Sequence, residues 1–301
     1  MSLWIPITIA AAFLQNVRSA LQKHLKGVMG TTGATFVRFG FGAPFAVACV
    51  ALLHYGFGHA WPPVSAPFLA SAAIGGVAQI VATFLLVHLF SFRNFVVGTA
   101  YSKTEPLQAA AFAFIVLGEG LTRGGLFAIV VGVIGVLAIS LARVEFSRRT
   151  LIAAIASRPA LIGIASGGAF AISAVGYRSA SLALGGPNFV MQAFFTLACV
   201  TVFQTTLMLA WMAWRERGEL ARVAAAWRPS LLVGMIGITA SAGWFTAMTI
   251  EKVAHVRALA QIELVFTFAV SVLVFRERIS RMEAFGTLLI VVGILGLLRF
   301  G

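Results

Sequence analysis

The feature that most limits what this chain can fold into is a series of apolar stretches, each about 20 residues long. Such windows fall at 3–22, 33–53, 66–89, 95–117, 124–142, 159–183, 188–213, 229–250, 254–275 and 283–299. A helix of about 20 residues rises roughly 30 Å, the thickness of a bilayer's hydrocarbon core. In that medium each backbone N–H and C=O must be satisfied within the protein, which leaves helices or a closed barrel. Windows this long are read as helices. The longest connections, 143–158 and 214–228, are too short for a soluble domain. The pattern predicts an all-α polytopic membrane protein with ten transmembrane helices.

Composition agrees. Of 301 residues, 60% are hydrophobic and 10% charged, against about 25% charged in soluble domains. The first window is expected to be a span and not a signal peptide, because no basic segment precedes "LWIPITIAAAFLQ". Cys49 and Cys199 each sit mid-span in "ACV", which implies neither a disulfide framework nor a metal site. Aspartate is absent, and His24, His54, His59, His88 and His255 lack ligand spacing. No cofactor and no metal are expected.

A net charge of +13 could point to nucleic acid, but the location of the charge does not. The odd-numbered connections hold fourteen Lys and Arg, whereas the other face has only Arg123, Lys252 and Arg299. The positive-inside rule places the odd connections in the cytoplasm and both termini outside. The expected location is a bacterial inner (plasma) membrane, with lipid as a partner and no nucleic acid.

The chain also repeats itself. "KTEPLQAAAFAFIVLGEGLT" is echoed by "QIELVFTFAVSVLVFRERIS". Glu105 and Glu263 differ by 158 positions, as do Glu119 and Glu277; Gly125, Gly132 and Gly135 keep the spacing of Gly286, Gly293 and Gly296. Each half, 1–150 and 151–301, then holds five spans, and an odd number turns the second half over in the bilayer. Two inverted five-helix repeats place a substrate near the midplane and allow alternating access. The glycine sets lie on one helix face, suited to close packing or a dimer face, so monomer and homodimer are both open. Thr122 and Ser280 are placed to cap the helices that follow, with Glu119 and Glu277 as turn residues at the membrane surface.

"LGEGLT" after the fourth span and "FRERIS" after the ninth resemble the Gly-Glu-Arg-Leu-Thr/Ser signature of the drug/metabolite transporter superfamily, EamA type. The Gly-rich "VVGxxG" that follows each is similar as well. Gly120 stands where the family usually has Arg, and Phe275-Arg276 replaces the common Leu-Gly. The resemblance implies a ten-helix carrier of small organic metabolites.

Inside the spans, ionisable residues are expensive and mark pathways by default. Lys103 and Glu263 are the candidate substrate-binding pair near the midplane, the lysine as anion anchor and the glutamate as counter-charge and proton acceptor. Tyr101, Gln261 (the repeat counterpart of Lys103), Arg38 and Trp244 complete the candidate binding set. Glu105, Gln15 and Asn16 are expected in coupling or supporting roles. Pro106 predicts a helix break beside the cavity. Snorkelling to the interface accounts for Arg18 and Arg178.

The counts inside the spans, five cations (Arg18, Arg38, Lys103, Arg178, Arg257) against Glu105 and Glu263, lean toward a zwitterionic or anionic substrate such as an amino acid. The expected function is therefore a secondary transporter, an exporter or exchanger, with a proton as the candidate coupling ion. Multidrug or cationic-amine efflux and lipid head-group translocation are the alternatives. An integral-membrane transferase would need a nucleophile, base or metal set in a loop, and the loops offer mostly arginine.

Overall fold

The computed structural model describes residues 2–92, 101–141, 157–186, 188–266 and 280–300. The connection 143–156, Phe275-Arg276 and Glu277 lie outside them. The described chain is built of helices, and six are long and apolar enough to cross a membrane. In chain order they are α1 (Trp4–Leu25), α2 (Thr31–Gly40), α3 (Ala43–Ala51, running on into one π turn, Leu52–Gly56) and α4 (Ala66–Leu89). Then come α5 (Glu105–Leu117), α6 (Arg123–Leu141), α7 (Arg158–Ala183), α8 (Phe189–Arg215) and α9 (Arg217–Ala225). The last are α10 (Trp227–Ile250), α11 (Val253–Leu259) and α12 (Arg281–Phe300). α1 is long enough to span, but Gln15, Asn16, Arg18 and Gln22 make it more polar than those six.

Three helix pairs form the most extensive contacts: α4 with α7, α6 with α12, and α1 with α10. Small residues explain all three. Lipid gives apolar side chains no reason to leave it, so helices associate where backbones can approach closely and polar groups can bond across. At α4–α7, a Cβ on Gly176 would lie 3.0 Å from the Gly75 Cα. Ser71 and Ser179 share a hydrogen bond of 3.0 Å, and the Ser166 hydroxyl donates to the Ala82 carbonyl at 2.9 Å. At α6–α12, a Cβ on Gly293 would fall 2.8 Å from the Gly132 N, and one on Gly286 2.7 Å from the Gly135 O. The predicted glycine faces therefore do pack, against each other. At α1–α10, a Cβ on Gly243 would lie 2.9 Å from the Ala11 Cβ.

Three predicted spans are interrupted. The second breaks at Phe41-Gly42, between α2 and α3, where the Gly234 backbone of α10 lies against Gly42 and Pro44 starts α3. The fourth breaks at Lys103-Thr104, with Pro106 in the first turn of α5 beyond it, so the proline starts the new segment. The ninth breaks at Ala260-Gln261, just after α11. Thr122 caps α6 through the Gly125 N–H, and Ser280 forms a reciprocal capping box with Glu283.

The connection 214–228 is not a plain loop. It folds as α9, whose buried Glu219 accepts a hydrogen bond from the Gly30 N–H at 2.8 Å, at the start of α2. A carboxylate there satisfies an orphan donor and meets the positive end of the helix dipole. Thr32 donates to Glu216 at 3.1 Å, so α9 holds α2 at two points.

Two outcomes follow. Gly286→Leu or Gly293→Leu drives a side chain into facing backbone; the yield of monodisperse protein in size-exclusion chromatography should fall sharply, whereas Gly218→Leu, in open space, should not change it. Glu219→Ala should lower stability by about 1–2 kcal/mol, the usual cost of a lost helix cap, read as a reduced melting temperature.

Candidate functional site

The interrupted fourth and ninth spans meet face to face. Lys103, on the turn before α5, pairs with Glu263, just beyond the turn after α11. Glu263 keeps only 4% of its side chain exposed, while a third of Lys103 remains open. Two residues further on, Glu105 opens α5 and meets Arg257 of α11 at 3.1 Å. That contact is an ion pair without hydrogen-bond alignment, and Glu105 Oε1 and Arg257 Nε stay unmatched. Lys103 and Glu105 diverge on a regular helix, and the break between them lets each take its own partner on the other segment.

A cavity of about 30 Å³ opens between these residues, lined by Gln15, Lys103, Glu105, Arg257, Gln261 and Glu263. That is room for about one water. Gln261 is buried, with its Oε1 against Gly132 and its Nε2 without a partner. Arg257 lies over the indole of Trp244, 4.8 Å from the ring centroid, in cation–π geometry. The Trp244 Nε1–H is buried and unpartnered.

Of the sequence-derived candidates, Lys103, Glu263, Gln261, Glu105 and Gln15 come together around this cavity, and Trp244 reaches it through Arg257. Tyr101 is half-buried and outside the lining, and so is Asn16. Arg38 occupies a second polar centre. It donates to Thr83 Oγ1 at 3.1 Å and Ser241 Oγ at 3.5 Å. The Gln79 amide, oriented to satisfy both its neighbours, accepts from Arg38 at 2.7 and 2.8 Å and donates to Ser173. Tyr177 and Gln204 close this centre, bonded to each other at 3.1 Å.

Two arginines expected to snorkel do not. Arg18 is 2% exposed, because its helix is covered by α10 along its length. Arg178 pairs with Glu119 and donates to the Met248 and Glu251 carbonyls, each at 2.6 Å. It thereby satisfies the carboxyl end of α10, and Glu119, in the turn after α5 as expected, is also an ion-pair partner. Lys252 adds a bond to the Gly120 carbonyl at 3.1 Å. Arg257 is the residue the candidate set omits. Its signal was a charge within an apolar stretch, but its partner is remote in sequence.

Lys103→Met should remove the counter-charge that the lysine gives the buried Glu263 carboxylate and cost about 3 kcal/mol, the low end for a broken buried pair because the lysine is partly exposed. The double variant Lys103→Met/Glu263→Gln should recover most of that loss. Thermal melting of the two purified variants tests this coupling.

Comparison with known proteins follows the same line. No curated protein matches the chain. A solved structure titled only "Crystal structure of protein" superposes with a TM-score of 0.67 at 18% identity, over 98% of this chain and 95% of that one. At that identity the likeness is one of fold. Residues 157–299 match the model of the EamA-like transporter family. The C-terminal half of the chain is thus similar to EamA-like transporters, and the apolar helices of the described residues agree with an integral membrane protein of that type.

Proposed function

We propose that the chain is a secondary transporter, an exporter or exchanger of a small zwitterionic or anionic metabolite such as an amino acid. It works by alternating access around the Lys103–Glu263 centre. The observation that carries this reading is the pair of ion bridges, Lys103–Glu263 and Arg257–Glu105, which join the two halves at two helix breaks. Lys103 and Gln261 are related by the 158-residue repeat offset (261 − 103), and each sits on its own break. Discontinuous helices at a repeat interface are where secondary transporters hold substrate.

Helix pairing supports the inverted repeat. In a ten-span order with 1–150 and 151–301 as the halves, α1 is span one, α4 three, α7 six and α10 eight. Exchanging the halves turns the α1–α10 pair into the α7–α4 pair, and leaves α6–α12 mapped onto itself. All three are the most extensive contacts in the molecule.

In the transport cycle, the substrate competes for these ion pairs. A proton on Glu263 releases Lys103, and rocking of one half against the other exchanges access between the faces. Breaking both bridges without compensation would strand charges in the bilayer interior, so the transition needs substrate or proton to proceed. Both termini lie outside the cytoplasm of a bacterial inner membrane, on the fourteen-to-three distribution of basic charge.

Purified protein in proteoliposomes, loaded with unlabelled amino acids, should take up labelled amino acids by counterflow. Lys103→Met should abolish that uptake and Glu263→Gln should flatten its pH dependence. Counterflow no greater than in protein-free vesicles across amino acids and small organic acids would overturn the reading, as would full activity of Lys103→Met. Cytoplasmic and periplasmic reporters fused after Arg149 test the orientation; only the cytoplasmic one should be active.

A further inference from the structure

The ion pairs leave a remainder. Four cations, Arg18, Arg38, Lys103 and Arg257, are gathered in the molecule's interior with two carboxylates, Glu105 and Glu263. Glu263 is taken by Lys103 and Glu105 by Arg257. Among the described residues, no carboxylate forms a salt bridge with Arg18 or Arg38. The polar partners of Arg38 are neutral: Thr83, Ser241 and Gln79. Arg18 is in a stricter position, because its Nε and Nη1 are buried and have no hydrogen-bond partner at all.

These groups share one face of α10. Gly237, Ser241 and Trp244 lie at i, i+4 and i+7, which puts them on one side of the helix. A Cβ on Gly237 would meet the Arg18 Cδ at 3.2 Å and the Arg38 Cγ at 3.5 Å, so the stems of both arginines flank the same glycine. Ser241 bonds Arg38, and Trp244 lies under Arg257 with its own N–H unpartnered. The absence of a side chain at position 237 is what lets both guanidinium stems reach this face.

A buried guanidinium without a counter-charge is costly, and it persists where something else supplies the charge. The Arg18 fork with its orphaned N–H groups, beside an Arg38 whose partners are all neutral, suits an oxyanion, which a guanidinium binds in bidentate fashion. We infer that Arg18 and Arg38 form the oxyanion subsite of the transporter, taking the carboxylate or phosphate group of an organic anion. The inference rests on the transporter reading and refines it: the anion anchor is this arginine pair, and Lys103 serves the ion-pair switch with Glu263. Gln15 and Arg18 lie three apart on α1, with Gln15 in the cavity lining, so the subsite adjoins the charged centre along one helix face.

Binding can be read without transport. Detergent-purified protein is melted in chloride, acetate and inorganic phosphate at matched ionic strength, followed by tryptophan fluorescence. Phosphate or acetate should raise the wild-type midpoint by about 2–4 °C over chloride, the shift given by ligand near ten times its dissociation constant. The anion giving the larger rise distinguishes phosphate esters from carboxylates as the substrate class. Arg18→Met, of similar volume, should lose the rise, and Arg38→Gln provides the same reading if Arg18→Met does not fold. No rise in wild type with either anion, or an unchanged rise in the variants, overturns the inference. Counterflow uses neither variant, so the subsite and the transport reading fail separately.

Discussion

A charge inside a bilayer needs a partner, and this chain has few to give. It has nine acidic residues, all glutamate, against twenty-two Lys and Arg. Most of the basic excess lies in the connections, where water and headgroups solvate it. The exceptions define the interior. Lys103 and Arg257 consume Glu263 and Glu105, Arg178 consumes Glu119, and Arg18 and Arg38 are left with neutral partners or none. The elements that carry the bridged charges are fixed in position by them, since separating either side strands a charge in low dielectric.

Close backbone approach is what makes these pairings geometrically available. Glycines at the α4–α7 and α6–α12 contacts bring helices to van der Waals distance of each other's backbone. The same small residues touch the charged centre. Gly132 of α6 lies against the Gln261 amide, and Gly237 of α10 makes room for Arg18 and Arg38. Packing and site are thus one system. A methyl group at position 132 or 237 would be felt first by a polar side chain.

Polar contacts also hold regions away from the centre. Arg178 and Lys252 tie α7, the turn after α5 and the end of α10 together. α9 tucks Glu219 under the start of α2, with Glu216 bonded to Thr32.

The sequence by itself determined the helical membrane class, because apolar length is set by bilayer thickness and is read along the chain. It also determined the glycine faces and the caps at Thr122 and Ser280, and it drew attention to Lys103 and Glu263, since a charge within an apolar stretch is visible locally. Only the tertiary structure decided which charge meets which. Arg18 and Arg178 have the sequence context of snorkelling residues, yet neighbouring helices cover one and surround the other. Glu119 sits in a turn by its neighbours in sequence and in an ion pair by its neighbours in space. Tyr101 is two residues from Lys103 and still misses the cavity, because it belongs to the helical segment that ends before the break at Lys103-Thr104. The amphipathic α9 and the break at Gly42 were likewise settled by contacts with distant elements. Hydropathy is a sum over adjacent residues, whereas charge compensation is a pairing between remote ones, and the fold alone brings those together.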